Sequence, residues 1–365
     1  MLDINPADPS FAWNNRGNGR KNNEEYDQAI EDYTEALRLN PNNAVAYNDR
    51  GVAYSKKGGY NQAIADLSQA ISLDPNYAIA YSNRGYVYGE KWMYDQALVD
   101  YTQAISLDPN NATTYHNRGL TYAEKEDYDR AIADLSQAIS LDPNYAIAYN
   151  NRSVVYTDKG DYDRAIADCN QAISLNPDYA NAYNNRGLAY ANKGDYDKAI
   201  ADCTQAISLD PNNATTYSNR GVTYARKRDY DKAIADYTQA ISLDPNDTAA
   251  YYSRGNVYRQ KEDYDRAIAD FNLAISLNPN YDVAYNGRGV AYYYKRDYNR
   301  AIADYTQAIS LDPNYVRPYN NRGSAYTEKR DYNRAIADWE TVLRINPNDP
   351  HAGQNLEYVR QARGW

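Results

Sequence analysis

Polar and apolar positions in this chain repeat with two superposed periods. The short one is helical. In the stretch 146–179, Ala146, Tyr149, Ser153 and Tyr156 recur at spacings of three and four, which predicts a helix with those residues on one face. A second stripe follows at helical spacing: Ala165, Cys169, Ala172, Ile173 and Leu175. Between the stripes Gly160 can close a helix at positive φ, and Asp161 stands where an N-cap belongs. Asp163 adds a negative charge near the positive end of the second helix dipole. Asn176-Pro177 ends the segment, because a proline disfavours the helical conformation of the residue before it. The stretch therefore predicts two helices joined by a tight turn.

The long period is 34 residues. Pro41, Pro75, Pro109, Pro143, Pro177, Pro211, Pro245, Pro279, Pro313 and Pro347 are each 34 apart. Ten copies run from Ser10 to Asp349, leaving residues 1–9 and 350–365 as tails. A pattern of this kind predicts an all-α array in which each copy buries its apolar face against its neighbours. Leu2-Asp3-Ile4-Asn5-Pro6 resembles Leu343–Pro347, so residues 1–9 are expected to be the remnant of a preceding repeat end, either a vestigial cap or the cut edge of a longer array. Ala352, Leu356, Val359 and Arg363 share helical spacing, and 350–365 is expected to hold a capping helix and a tail. The first repeat is the least regular, with Arg20 where the other nine copies have Tyr.

The repeated positions carry a resemblance. An aromatic residue stands at Trp13, Tyr47, Tyr81, Tyr115, Tyr149, Tyr183, Tyr217, Tyr251, Tyr285 and Tyr319. A glycine follows four residues later in nine copies, with Ser153 in the fifth, and an alanine recurs from Ala29 and Ala63 to Ala335. With the closing proline this resembles the tetratricopeptide repeat family. The resemblance implies a right-handed α-α superhelix of antiparallel helix pairs, with the first helices lining a concave groove. It also implies a non-enzymatic scaffold that binds a peptide segment or partner protein there.

The chain departs from the family pattern at one place in every copy. Where the family has Leu before the Gly, Arg16, Arg50, Arg84, Arg118, Arg152, Arg186, Arg220, Arg254, Arg288 and Arg322 stand here. Each precedes by 16 residues an aspartate of the second helix, from Asp32 to Asp338. Folding back at the turn brings the two level, which predicts a ladder of partly buried ion pairs; the competing reading makes the arginines ligand contacts. On the expected groove face a row of asparagines recurs: Asn15, Asn83, Asn117, Asn151, Asn185, Asn219 and Asn321. A carboxamide both donates and accepts, so such a row can hold the peptide units of an extended chain whatever its side chains. The alternative is solvated asparagine with no ligand. Tyr86, Leu120 and Val154 supply apolar area beside the amides.

Other features refine the partner class. Some family members bind a C-terminal carboxylate through a lysine-rich clamp; here the equivalent lysine places hold Asn150, Asn184, Ile147 and Asn181, so that partner is not expected. Repeats eight to ten deviate most from the internal consensus, and Tyr252, Asn256, Arg259, Tyr293 and Arg317 are candidate specificity residues. Trp92-Met93 replaces the polar turn of repeat three, either as a contact patch or as a locally folded turn. The net charge of −10 argues against a nucleic-acid partner, which needs clustered Lys and Arg. No apolar run is long enough to span a membrane, and the first residues lack the pattern of a signal peptide, so a cytoplasmic protein is expected.

Cys169 and Cys203 occupy equivalent places in adjacent repeats. Stacked helices lie about 8–10 Å apart, beyond the reach of a disulfide, so two buried free thiols are expected. His116 and His351 have no nearby ligand-type residues, and no catalytic, metal or cofactor motif stands out. Two further function classes stay open: a structural array that self-associates through its ends as a homo-oligomer, and the regulatory arm of a larger enzyme.

Overall fold

In the computed structural model, residues 9–362 are described and form twenty-one α-helices, with no strand among the described residues. The expected remnant at 1–9 lies outside the described residues except for Pro9, which opens the first helix, Pro9–Asn22. Twenty of the helices come as antiparallel pairs of 13 or 14 residues, such as Ala146–Asp158 with Tyr162–Leu175. The twenty-first, Ala352–Ala362, lies within the expected capping segment, and the terminal tail from Gly364 is outside the described residues. The chain divides into two compact units, one ending at Ala189 and one beginning at Tyr190. In each, a first helix packs on its own second helix, the second helix packs on the first helix of the next repeat, and successive first helices touch more lightly. This is an all-α solenoid of stacked helix pairs.

The turns follow the sequence signals. Gly160 has φ +79°, its N–H donates to Thr157 O at 2.9 Å, and Asp161 N–H reaches Tyr156 O at 2.8 Å. Asp161 then caps the next helix through its carboxylate, which accepts from Arg164 N–H. The same left-handed position holds Gly58 and Gly194, but elsewhere Glu24, Trp92, Glu126, Arg228, Glu262, Arg296 and Arg330, at φ near +60°.

The core rests on a pairing of small and large side chains. Alanines such as Ala29, Ala63, Ala131, Ala165 and Ala233 have no exposed surface. In eight repeats the glycine of the first helix receives a large residue of its own second helix, whereas repeat six has the small Cys203 16 residues after Gly187. A Cβ added at Gly17 would meet Tyr33 at 2.6 Å, at Gly289 Tyr305 at 2.7 Å, and at Gly323 Trp339 at 2.9 Å. Repeat five inverts the pair: Ser153 replaces the glycine, and the opposing residue shrinks to Cys169, whose Sγ lies 3.1 Å from Ser153 Oγ. Cys169 and Cys203 are both buried and free, as expected.

One expectation about the first helix is corrected. Of the expected stripe Ser153 and Tyr156 are buried, but Ala146 and Tyr149 are only half-buried, and Ala148, Asn150 and Val155 are buried beside them. A helix flanked on two sides buries more than one stripe, so a single apolar period misplaces its centre. At the far end, Leu356 and Val359 of the last helix cover Trp339 and Val342.

Candidate functional site

Three ladders run along each unit. The first is the arginine row. Arg50 Nε and Nη2 donate to the two oxygens of Asp66 at 2.7 and 2.8 Å, in the bidentate geometry that suits a guanidinium. The same fork joins Arg84 to Asp100, Arg118 to Asp134 and Arg152 to Asp168 in the first unit. It joins Arg220 to Asp236, Arg254 to Asp270, Arg288 to Asp304 and Arg322 to Asp338 in the second. The remaining Nη1 reaches back to the second helix of the preceding repeat: Arg50 to Thr34, Arg84 to Ser68, Arg118 to Thr102, and Arg152 to Ser136 at 2.8 Å. Each guanidinium also stands over the tyrosine one turn before it, as Arg152 does over Tyr149 at 5.7 Å.

Each of these arginines therefore ties its own second helix to the preceding repeat. The pair is expected within or between repeats, and the structure shows it within. The ligand-contact alternative has few donors left to use. Hydrogen bonds to Asp134 and Asp236 hold the guanidinium groups of Arg118 and Arg220 above their ordinary value. Removing one partner of so buried a pair costs roughly 3–5 kcal/mol, because a charge is left behind without compensation.

The second ladder is exposed and lies at the turns. Lys125 Nζ donates to Asp95 and Lys91 Nζ to Asn61, both at 2.7 Å, and Lys57, Lys159, Lys227, Lys261 and Lys295 repeat the contact 30 residues back. Sequence reading missed this ladder. Its signal was a lysine at one phase of the period, which reads as ordinary surface when taken copy by copy.

The third ladder contains the predicted amide row. Asn83 Nδ2 donates to Asn48 Oδ1 at 2.8 Å, Asn185 to Asn150 at 2.9 Å, and Asn321 to Asn286 at 2.9 Å. Each bond crosses from one first helix to the preceding first helix. In repeat four His116 takes the acceptor's place: Asn151 Nδ2 lies 2.9 Å from its Nε2, and Asn117 Oδ1 lies 3.2 Å from its Nδ1. A neutral imidazole protonated on Nδ1 satisfies both contacts. Burial holds the His116 pKa below its ordinary value, which favours that neutral ring.

The row before each asparagine, with Asn48, His116, Asn150 and Asn184 buried, is the buried polar position that sequence reading missed. Its signal was a polar residue at a period where the helical stripe suggested none. Asn83, Asn117, Asn151, Asn185, Asn219 and Asn321 are all half-buried on the first-helix face. An amide that donates once to its neighbour keeps a second N–H and carbonyl lone pairs.

The remaining candidates are scattered along that face rather than gathered. Tyr86 is exposed beside the amide row. Tyr252 packs on Phe271 and Tyr281, with ring centroids 5.9 and 5.3 Å away. Asn256 accepts from Arg259 Nη2 at 3.2 Å. Tyr293 meets Tyr294 and Tyr298 edge-on, and Arg317 is exposed. His351 is exposed at the start of the last helix. Among the described residues no group of three or more His, Cys, Asp or Glu could hold a metal ion, and no helix is long and apolar enough to cross a membrane.

Stacked helix pairs, small–large core pairing and ladders at a 34-residue period define a helical-repeat scaffold. The chain belongs to the tetratricopeptide repeat family: the family's sequence model matches residues 10–43, 112–145, 180–213, 214–247, 248–281, 283–315 and 316–349. Related models of the same repeat match 56–91, 93–126 and 154–194, and 32–65 and 135–167. No curated protein matches the sequence significantly.

Several solved structures share the fold. The APC/C hetero-tetramer Cut9-Hcn1 aligns with a TM-score of 0.57 at 18% identity, over 96% of this chain and 76% of that one. A tetratricopeptide repeat protein from Parabacteroides merdae aligns at 0.57 and 22% identity, over 68% and 98%. Yeast Tom70 aligns at 0.50 and 16% identity, over 97% and 95%. At these identities the likeness is one of fold. The repeat class is in general a protein-interaction scaffold, and that is the class of this chain.

Proposed function

We propose that the first-helix face binds an extended peptide segment of a partner protein without performing catalysis on it. The observation that carries this reading is the amide row. Asn83, Asn117, Asn151 and Asn185 of the first unit, and Asn219 and Asn321 of the second, recur at one phase of that face and are half-buried. Asn83, Asn185 and Asn321 are each held in place by a bond to the preceding repeat, so their orientation is fixed before a ligand arrives. Fixing a polar group in advance reduces the ordering cost of binding. Their spare N–H and carbonyl capacity suits a peptide backbone, and Tyr86 and Val154, both exposed, offer apolar contact beside them. In the second unit Tyr252, Asn256, Arg259, Tyr293 and Arg317 are the residues where this face departs most from its own pattern, and we assign them to side-chain selection.

The test is binding to an unbiased peptide array by the parent, by Val154→Arg, and by Asn117→Ala combined with Asn151→Ala, each first shown to keep its helicity. Val154 is exposed, so the arginine adds bulk and charge to the face without entering the core. Binding by the parent that falls about tenfold in both variants supports the reading, the equivalent of about 1.4 kcal/mol. Binding that both variants retain places the contact elsewhere and ends it.

A further inference from the structure

Repeat three differs from every other copy at three positions, and the three meet in one place. Tyr86 stands where the equivalent positions are Val52, Leu120, Val154, Leu188, Val222 and Val290, or small and polar. Gly89 stands where the others carry a side chain, and a Cβ built on it meets nothing within 4 Å. Trp92 occupies the left-handed turn position at φ +62° and leaves 80% of its surface exposed. A bulky residue at positive φ is unusual, and an exposed indole there gains nothing from the core.

These residues open a pocket of about 310 Å³ on the first-helix face of the first unit, bounded across from them by Asn117 and Leu120 of the next repeat. A pocket of this size is at the small end for a ligand site and suits one side chain. Two carboxylates, Glu90 and Glu124, line it together with the aromatic rings, and no lysine, arginine or histidine does. The nearest lysines in sequence are engaged elsewhere, Lys91 with Asn61 and Lys125 with Asp95. Glu90 accepts from the Tyr60 hydroxyl at 3.4 Å, and among the described residues neither glutamate is paired with a cation, so the pocket keeps its negative charge. An aromatic face attracts a cation through its quadrupole, and adjacent carboxylates add to that field.

We propose that this pocket receives the lysine or arginine side chain of the bound peptide, with Tyr86 and Trp92 against its stem and cation and Glu90 and Glu124 beside its charge. The inference rests on the peptide reading above and gives it a composition: a segment with a basic residue that reaches repeats three and four.

The experiment is a positional-scanning peptide library on the intact chain, compared with Trp92→Gly and with Glu90→Gln combined with Glu124→Gln. Trp92→Gly puts at the turn the residue already used at Gly58, Gly160 and Gly194, so the fold is kept, and circular dichroism checks this. The parent should select Lys or Arg at one library position, and each variant should weaken that selected peptide about tenfold. Tetramethylammonium chloride should compete better than sodium chloride at equal ionic strength, which separates the rings from plain charge attraction. A parent that binds peptides without a basic preference leaves the groove reading intact and overturns the pocket. A basic preference that survives in both variants also overturns it, by placing the cation elsewhere. A parent that binds no peptide overturns both readings. Displacement by tetramethylammonium without any peptide selection assigns the pocket to a small quaternary ammonium ligand and overturns the peptide assignment.

Discussion

At the scale of the single residue, His116 shows how a polar seam can carry a titratable group. It stands where repeats two and five have Asn48 and Asn150, and it takes over their role as acceptor from the asparagine of the next repeat. An amide cannot titrate, but an imidazole can. Burial lowers the His116 pKa from its ordinary value of 6.5, so the native state keeps the ring neutral at a pH where the unfolded chain takes up a proton. The stability contributed by the neutral ring is complete above about pH 6.5 and is lost as pH falls toward the lowered native value. The parent should therefore lose melting temperature between pH 7 and pH 5 relative to His116→Asn, which keeps the acceptor and removes the titration. Parallel melting curves for the two proteins across that range would refute the assignment.

At the scale of the element, the central fact is the match between a first helix and its second. Glycine opposite tyrosine, leucine, phenylalanine or tryptophan is one solution, and Ser153 opposite Cys169 is another. The two positions are 16 residues apart, and in repeats other than the sixth, where Gly187 precedes Cys203, a large residue on one side meets a small one on the other or both are intermediate. Cys169→Tyr alone should cost roughly 1–3 kcal/mol, because the ring meets the serine side chain where other repeats leave space. Ser153→Gly added to it should recover most of that loss. A double-mutant cycle by urea denaturation reads the coupling, and simple additivity would show that the two positions are independent. This pairing was half legible in the sequence. The replacement of glycine by Ser153 and of the large residue by Cys169 is visible to the eye, but nothing in a list of residues says that the two touch until the helices are folded back. The arginine–aspartate ladder was more legible, because both partners recur in every copy and the turn lies midway between them. The amide row was visible in the sequence as a recurrent feature, but its partners in the preceding helix were not. Asn48 and Asn150 look like surface residues by type, and only the stacking of successive first helices buries them.

At the scale of the whole molecule, composition sets a vulnerability. The chain has 42 tyrosines against 2 phenylalanines and 4 tryptophans, so the aromatic part of its cores is largely phenolic. Tyr33 and Tyr101 in the first unit and Tyr237 and Tyr305 in the second are among the largest buried or nearly buried side chains. Burial raises the pKa of all four, Tyr237 to about 12, and raises that of Tyr77 to about 12 as well. The Cys203 thiol is pushed up to about 12 for the same reason. These groups fold as neutral species. Their contribution is fully present below the ordinary values, 10 for the phenols and 9 for the thiol, and is lost as pH rises through the native values, where the unfolded chain releases protons that the native state retains. The arginines do not share this weakness. Hydrogen bonding to aspartate raises the pKa of Arg84, Arg118 and Arg254 above an already high value, so the ion-pair ladder stays charged while the phenols fail. Each ionised tyrosine also adds to a net charge that is already −10, and the self-repulsion acts in the same direction. Alkaline titration should therefore show two tyrosinate steps in near-ultraviolet absorbance: an early one near pH 10 with helicity intact, from the exposed rings, and a late one toward pH 12 in step with loss of helical circular dichroism. A single early step followed by unchanged helicity would mean that the buried hydroxyls ionise in place, and that the cores tolerate charge that their burial forbids.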